Sequence, residues 1–165
     1  MYQKGSYVVY GIQGVCRIIG TETQNVNRKN VEYLVLESVE KTELRYYLPT
    51  QNAAAMGKLK AVLSAEELCR VLNSEEVHQD CWIPEENLRK QHYRDLISGG
   101  DRQSIMQMLH NLYRHRQQQA ETGRKFHQCD DNFLRDAERL LSREVALVMD
   151  FTREEALEYL RKELS

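Results

Sequence analysis

Residues 6–20 have the sequence SYVVYGIQGVCRIIG. Two runs of β-branched and aromatic residues, 6–10 and 15–20, flank the glycine-containing segment 11–14, a pattern typical of two strands joined by a turn. The backbone conformation of such a turn explains both glycines. A phosphate-binding loop would instead lead into a helix, and no helical pattern follows these glycines. Residues 6–20 therefore predict an antiparallel hairpin.

Two further strand patterns follow this hairpin. Residues 31–36 come after the polar stretch 25–30, which we interpret as a turn, and residues 44–49 end at Pro49. Proline has no N–H for a ladder hydrogen bond and therefore marks a strand end. Four short strands joined by turns, without a helix between them, predict a small antiparallel β-barrel.

Helical patterns occupy the rest of the chain. Residues 64–67 and 152–155 have the spacing of a capping box, which opens a helix. Residues 101–119 place apolar side chains at i, i+3, i+4 and i+7, the buried stripe of an amphipathic helix. Helix signals also occupy 84–97, which begins at a proline, and 130–148, which begins at two aspartates.

Together these patterns predict an α+β protein with two domains. A length of 165 residues is enough for one ordinary domain or two small ones. The pattern changes near Gly57 without a low-complexity segment, so we expect a short joint there. We predict the β-barrel over residues 1–57 and an all-α bundle of about five helices over residues 58–165.

The composition is that of a globular protein in water, with 41% hydrophobic and 29% charged residues. No apolar run approaches the ~20 residues that span a bilayer. The N-terminus leads into patterned sequence without the apolar core of a signal peptide. We therefore expect a cytoplasmic protein that makes no membrane contact.

The net charge of −2 hides a segregation of charge along the chain. Residues 84–125 contain eight lysines and arginines against five acidic residues, with three histidines in reserve, whereas residues 130–165 contain six against ten. A protein that binds polyanions with its whole surface is more basic than this. Any contact with nucleic acid is therefore expected to be local and sensitive to salt.

Sequence motifs for catalysis are missing. There is no phosphate-binding loop, dinucleotide fingerprint, zinc-protease motif or nucleophile elbow. The paired carboxylates at 66–67 and 154–155 lie in predicted first turns of helices, where the helix dipole explains them. We expect neither an enzyme, nor a cofactor, nor a small-molecule substrate.

The chain has four cysteines without a C-x-x-C pair: Cys16, Cys69, Cys81 and Cys129. In a reducing compartment they stay thiols. One alternative is a zinc site that recruits Cys69, His78 and Cys81, with His127 and Cys129. These intervals do not match the usual spacing of structural zinc ligands, so no metal is expected.

Trp82 is the only tryptophan, and it lies just before the basic segment 84–125. A large amphipathic ring next to cationic side chains is suited to pressing on distorted nucleic acid. Most tryptophans instead fill core volume and donate one N–H. The position of Trp82 alone leaves both interpretations open.

A series of short motifs runs through nearly the whole chain. They are Gly5-x-x-Val8-Val9-Tyr10-Gly11-x-x-Gly14-Val15, Glu32-Tyr33-Leu34-Val35-Leu36, Leu48-Pro49 leading to Ala53-Ala54 and Gly57, Trp82, Leu96-Ile97-Ser98-Gly99-Gly100-Asp101, Leu112-Tyr113 and Leu134-x-x-Ala137-x-x-Leu140-Leu141-x-x-Glu144. With these motifs the chain resembles the CarD/CdnL family of bacterial transcription regulators. Its N-terminal part is also similar to the polymerase-interacting domain of the transcription-repair coupling factor, whose helicase motifs are absent from this sequence.

The resemblance implies a transcription regulator with a Tudor-like (SH3-like) barrel. This barrel would dock on the β subunit of bacterial RNA polymerase. The helical domain would contact promoter DNA at the upstream edge of the transcription bubble, largely without reading sequence. In this family a tryptophan sits in the minor groove where the duplex begins to open, and Trp82 matches it.

The resemblance also implies site residues. Around Trp82, phosphates would be held by Arg89, Lys90, Arg94 and Arg124. Polymerase would be contacted by Gln24, Arg45 and Tyr47. The polymerase-contacting arginine of the family is replaced by Tyr47, and Arg45 lies on the same face of the strand, so either residue is a candidate for the contact. The alternative is an adaptor without DNA contact, in which Trp82 packs the barrel against the helices.

Overall fold

A five-stranded antiparallel sheet forms the first part of the protein, which a computed structural model describes over residues 2–165. The strands are β1 Tyr7–Tyr10, β2 Gly14–Val26, β3 Lys29–Ser38, β4 Arg45–Pro49 and β5 Leu59–Ala61. They lie in the order β4-β3-β2-β1-β5. The predicted hairpin of β1 and β2 is present, and Val9 pairs with Val15 across it.

The hairpin between β2 and β3 is longer than the sequence suggested. Polar residues 25–30 were interpreted as a turn, but only Asn27 and Arg28 form it, with φ of 52° and 65°. Two consecutive residues with positive φ are typical of the tight turns whose twist matches that of the flanking strands. The other four residues of this stretch pair in the ladder, Asn25 with Asn30 and Val26 with Lys29.

The predicted barrel is an open sheet. Within residues 2–165 no ladder joins β4 to β5, the two edge strands. A one-turn helix, α1 (Ala53–Met56), lies between them in sequence, and the side chain of Asn52 caps it by accepting a hydrogen bond from the N–H of Ala55. Strand β5 was not predicted, because three residues are too few to display a two-residue period.

Five longer helices follow: α2 Ala65–Leu72, α3 Glu86–Gly99, α4 Arg102–Glu121, α5 Gln128–Met149 and α6 Arg153–Leu164. With α1 the described chain contains six α-helices instead of about five. Capping boxes open α2 at Ser64 and α6 at Thr152, as predicted. Gly100 ends α3 in the left-handed conformation. The α+β class is confirmed.

The chain divides into two units after Val62, a few residues beyond the change of pattern near Gly57, because β5 belongs to the sheet. Each unit has its own apolar core. The sheet unit buries Ile18, Leu36 and Leu48. The helical unit, Leu63–Ser165, buries a larger set that includes Leu68, Met106, Leu109, Leu112, Leu141 and Leu160. Among the described residues, no helix has both the length and the apolar character needed to cross a bilayer.

Candidate functional site

Trp82 lies in the segment between α2 and α3 and is half-buried against the core of the helical unit. Its indole stacks on the imidazole of His115 in α4, with ring centroids 3.7 Å apart and planes 13° from parallel. The guanidinium carbon of Arg89 lies 4.5 Å from the centroid of the indole. The ring is therefore supported by two side chains and keeps part of its surface in solvent.

Buried polar side chains hold the backbone on both sides of Trp82. The side chain of Asn111 accepts a hydrogen bond from the N–H of Cys81 (2.9 Å) and donates one to the carbonyl of Gln79 (3.0 Å). On the other side, Arg89 Nη1 donates to the carbonyl of Ile83 at 2.9 Å. Asn111 is 4% exposed and Arg89 5% exposed. The segment that carries the indole is thus fixed in place before any partner arrives.

Arg89 has a structural role that the sequence did not indicate. Its Nε and Nη2 donate to the two carboxylate oxygens of Asp130 at 2.9 and 3.0 Å. Since Nη1 donates to the carbonyl of Ile83, all three nitrogens of the guanidinium form hydrogen bonds within the helical unit. This geometry argues against the expectation that Arg89 holds a phosphate, because a buried, fully paired guanidinium does not face DNA.

The other predicted phosphate contacts lie nearer the surface. Lys90 is partly buried, with its Nζ 3.1 Å from Glu86. Arg94 on α3 and Arg124, after α4, are exposed. Arg102, counted in the basic segment, is buried 3.4 Å from Glu144 and adds nothing to the surface charge.

Sequence reasoning missed three residues of this site. His115 is flanked by the exposed Arg114 and Arg116, which add positive charge next to the residue that stacks on Trp82. Burial lowers the pKa of His115 below its usual value, so the ring is neutral at pH 7. The Arg-His-Arg triplet was visible in the sequence, but its pairing with Trp82 was not, since 33 positions separate the two rings.

The acidic residues after Trp82 have local partners. Glu85 is the N-cap of α3, where its carboxylate accepts hydrogen bonds from the N–H groups of Asn87 (3.2 Å) and Leu88 (2.6 Å). Glu86 pairs with Lys90. Acidic side chains at a helix N-terminus are stabilised by the free N–H groups and the helix dipole. Their presence here is explained by the start of α3.

The three predicted polymerase contacts share one face of the sheet. Gln24 pairs across the ladder with Val31, and Tyr47 with Val35, so alternation puts their side chains on the same side. Arg45 lies two residues before Tyr47 on that face and is 4.0 Å from Glu37. Tyr47 is 45% exposed, with its ring edge-on to Tyr33 at 6.5 Å.

A family model of the CarD-like/TRCF RID domain matches residues 2–60. Residues 2–60, most of the sheet unit, are therefore similar to this family. Its members are RNA polymerase-interacting domains, a protein-interaction family and not a known family of enzymes. A comparison of the chain with curated proteins finds no significant match.

The RID match covers β1 to β4, α1 and the first residues of β5. It therefore contains Gln24, Arg45 and Tyr47. Trp82 and the basic segment lie in the helical unit, outside the match. The RID match thus points to polymerase interaction by the sheet unit and says nothing about Trp82, whose role has to be argued from the geometry of the helical unit.

Proposed function

We propose that this protein is a transcription regulator that binds the β subunit of bacterial RNA polymerase through its RID domain and stabilises the promoter open complex through Trp82. The observation that carries the proposal is a half-exposed indole on a backbone segment held by Asn111 and Arg89. The similarity of residues 2–60 to a polymerase-interacting family supports the first half of the proposal.

The indole acts on DNA at the upstream edge of the bubble. Where the duplex opens, a base pair loses one stacking neighbour, at a cost of a few kcal/mol per step. An aromatic ring placed against that pair in the minor groove replaces part of the lost stacking and slows closure of the bubble. Because the segment around Trp82 is already fixed, little conformational entropy is lost on contact.

Phosphates near this junction are contacted by exposed cations without sequence readout. The candidates are Lys90, Arg94 and Arg124 from the sequence analysis, joined by Arg114 and Arg116 beside His115. Arg89 is not among the candidates, because it forms a buried ion pair with Asp130. Such a contact is weak for the isolated protein, but the polymerase-bound RID domain supplies a high effective concentration.

The RID domain docks through the sheet face that carries Gln24, Arg45 and Tyr47. Tyr47 offers a large amphipathic ring, a residue type enriched at interfaces. Arg45 has 52% of its side chain exposed and only a long, screened contact with Glu37, so it is available to an acidic partner.

The lifetime of the promoter open complex tests the DNA contact. We expect Trp82→Ala to bind polymerase like the wild type and to lose most of the lifetime extension. Leu88→Ala is the matched control, since Leu88 is an apolar residue of α3 that is 64% exposed. A wild-type lifetime with Trp82→Ala rules out the DNA contact.

Pull-down of the polymerase β subunit tests the RID face. We expect Arg45→Glu and Tyr47→Ala to weaken binding, while Lys41→Glu, a charge reversal in the exposed β3–β4 loop, leaves it unchanged. If Arg45→Glu and Lys41→Glu weaken binding equally, non-specific electrostatics explains the loss instead of this face.

The half-burial of Trp82 supports one other function, an adaptor that binds polymerase without touching DNA. In that case Trp82→Ala lowers the free energy of unfolding and leaves the open-complex lifetime unchanged. The two measurements together separate the two functions.

A further inference from the structure

Three side chains of different chemistry meet where α3 and α5 begin. Glu86 is the first residue of α3, His127 is the N-cap of α5, and Cys129 is the second residue of α5. Each offers one atom that can bind a metal ion, and these three atoms lie within 4.8 Å of one another. They are a carboxylate oxygen of Glu86, an imidazole nitrogen of His127 and the sulfur of Cys129. Cys129 Sγ donates to Glu86 Oε1 at 3.5 Å.

The backbone brings these residues together through the neighbouring ion pair. Asp130 follows Cys129 in the first turn of α5, and Arg89 lies one turn after Glu86 on the same side of α3. The bidentate contact between Arg89 and Asp130 therefore fixes the two helix starts against each other. The three ligands stay close whether or not an ion is bound, which reduces the ordering cost of binding.

The donor set selects the ion. A thiolate and an imidazole favour Zn²⁺, while Ca²⁺ and Mg²⁺ prefer all-oxygen sites. We propose that Glu86, His127 and Cys129 bind one Zn²⁺ ion, with a solvent molecule as the fourth ligand. Zinc–ligand bonds of about 2.0–2.3 Å require the three atoms to approach each other by about 1 Å, which rotation of the exposed His127 and Glu86 side chains provides.

Binding requires two local changes. The thiol of Cys129 loses its proton to solvent as sulfur bonds to the ion, so one proton is released for each Zn²⁺ bound. Lys90, whose Nζ is 3.1 Å from Glu86, swings away from the carboxylate. Its contact is an i,i+4 pair at the surface, a kind of ion pair that contributes little to stability, so it offers little resistance.

This site differs from the zinc hypothesis weighed on sequence spacing. Cys69 contacts the hydroxyl of Tyr159 at 3.4 Å, and both ring nitrogens of His78 face backbone carbonyls. Those two residues are therefore engaged elsewhere. The third ligand is Glu86, which lies 41 positions before His127 and has no spacing signature.

The test is Zn²⁺ binding by the full chain, measured by competition with a chromogenic chelator, together with the absorption spectrum of the Co²⁺ complex. We expect one Zn²⁺ per chain and a thiolate-to-cobalt charge-transfer band. Loss of a residue that only hydrogen-bonds to a metal ligand weakens metal binding about 10–100-fold. We expect at least this loss of Zn²⁺ affinity when a ligand itself is replaced, in Cys129→Ser, His127→Gln and Glu86→Gln. In Cys129→Ser the charge-transfer band should disappear.

Two matched controls test the assignment. Cys81→Ser removes the exposed cysteine, and His92→Gln removes an exposed histidine of α3. Both should bind Zn²⁺ within twofold of the wild type. Wild-type protein that binds no Zn²⁺, or a Co²⁺ complex without the thiolate band, overturns the proposal. So does an equal loss in Cys81→Ser and Cys129→Ser. The wild-type spectrum decides the question even where a variant fails to fold.

Discussion

Arg89 and Asp130 form a two-point ion pair inside the helical unit, with side chains only 6% and 2% exposed. The pair joins α3 to α5. The same guanidinium donates to the carbonyl of Ile83 and lies 4.5 Å from the indole of Trp82. One arginine therefore links the packing of the helices to the position of the tryptophan.

Removal of one partner of this pair should be strongly destabilising. Asp130→Ala leaves a buried guanidinium without its counter-charge, and we expect a loss of about 3–5 kcal/mol in the free energy of unfolding. Urea denaturation measures it. The double variant Arg89→Met, Asp130→Leu removes both charges and should cost less than Asp130→Ala alone. If the double variant loses as much stability as Arg89→Met and Asp130→Leu together, the two residues are not coupled.

The stack of Trp82 on His115 should make the intrinsic fluorescence depend on pH. Because burial lowers the pKa of His115 below its usual value of 6.5, the ring stays neutral at pH 7. A protonated imidazole quenches indole emission, so we expect the emission to fall with a midpoint below pH 6.5. His115→Gln should abolish this step, while the exposed His92→Gln should keep it. A step that survives in His115→Gln assigns the quenching to another group.

The pKa values of His78 and His110 should be shifted in opposite directions from the usual value of histidine. The ring nitrogens of His78 lie 2.9 and 2.8 Å from the carbonyl oxygens of Ser74 and Glu163. Since carbonyls only accept, both nitrogens donate in the imidazolium form, and these backbone hydrogen bonds raise the pKa of His78 above 6.5. Burial instead lowers the pKa of His110, whose ring is 4.9 Å away.

The consequences for stability follow from these signs. The contribution of His78 to stability is complete below pH 6.5, the usual pKa of histidine, and is lost as the pH rises through the raised pKa of the folded state. That of His110 is present above pH 6.5 and is lost as the pH falls through its lowered folded pKa. NMR titration of the five histidines should give a higher pKa for His78 than for His110. The reverse order contradicts the hydrogen-bond assignment.

The hydroxyl of Tyr113 should contribute to stability through Glu138. Tyr113 is buried and donates a short hydrogen bond to Glu138, which also accepts from Arg161 Nε at 2.9 Å. Tyr113→Phe removes the donor and leaves part of a buried carboxylate unsatisfied, a loss of about 1–3 kcal/mol. Tyr7→Phe, at an exposed strand position, is the control and should change thermal stability little. Equal effects of the two substitutions contradict this role.

Short-range signals predicted the local elements well. The glycine turn after Tyr10, the capping boxes at Ser64 and Thr152 and the break at Gly100 all depend on residues within four positions of one another. Such patterns act before tertiary contacts form, so the sequence alone reveals them. The open sheet edge was not predictable in this way, because pairing of β5 with β1 joins residues about 50 positions apart.

The candidate site was predicted only in part. Trp82 and the basic segment after it were singled out from their types and order, but Arg89 is buried, and Arg114 and Arg116 beside His115 were missed. The duties of Arg89, Asn111 and His115 became visible only in the folded helical unit, where the partners come from α3, α4 and α5. A buried arginine and a surface arginine have the same sequence signature, and only the position of Asp130 distinguishes them.

The sequence by itself determined the α+β class and the order of the longer elements, because periodicity, turn residues and caps act locally. The similarity of residues 2–60 to the RID family came instead from the resemblance of their motifs. Tertiary structure decided which charged side chains are exposed at the surface and which are buried in ion pairs. It also decided that Glu86, His127 and Cys129 meet. The physical reason is that burial and contact depend on packing between segments far apart in the chain, and no local pattern encodes that distance.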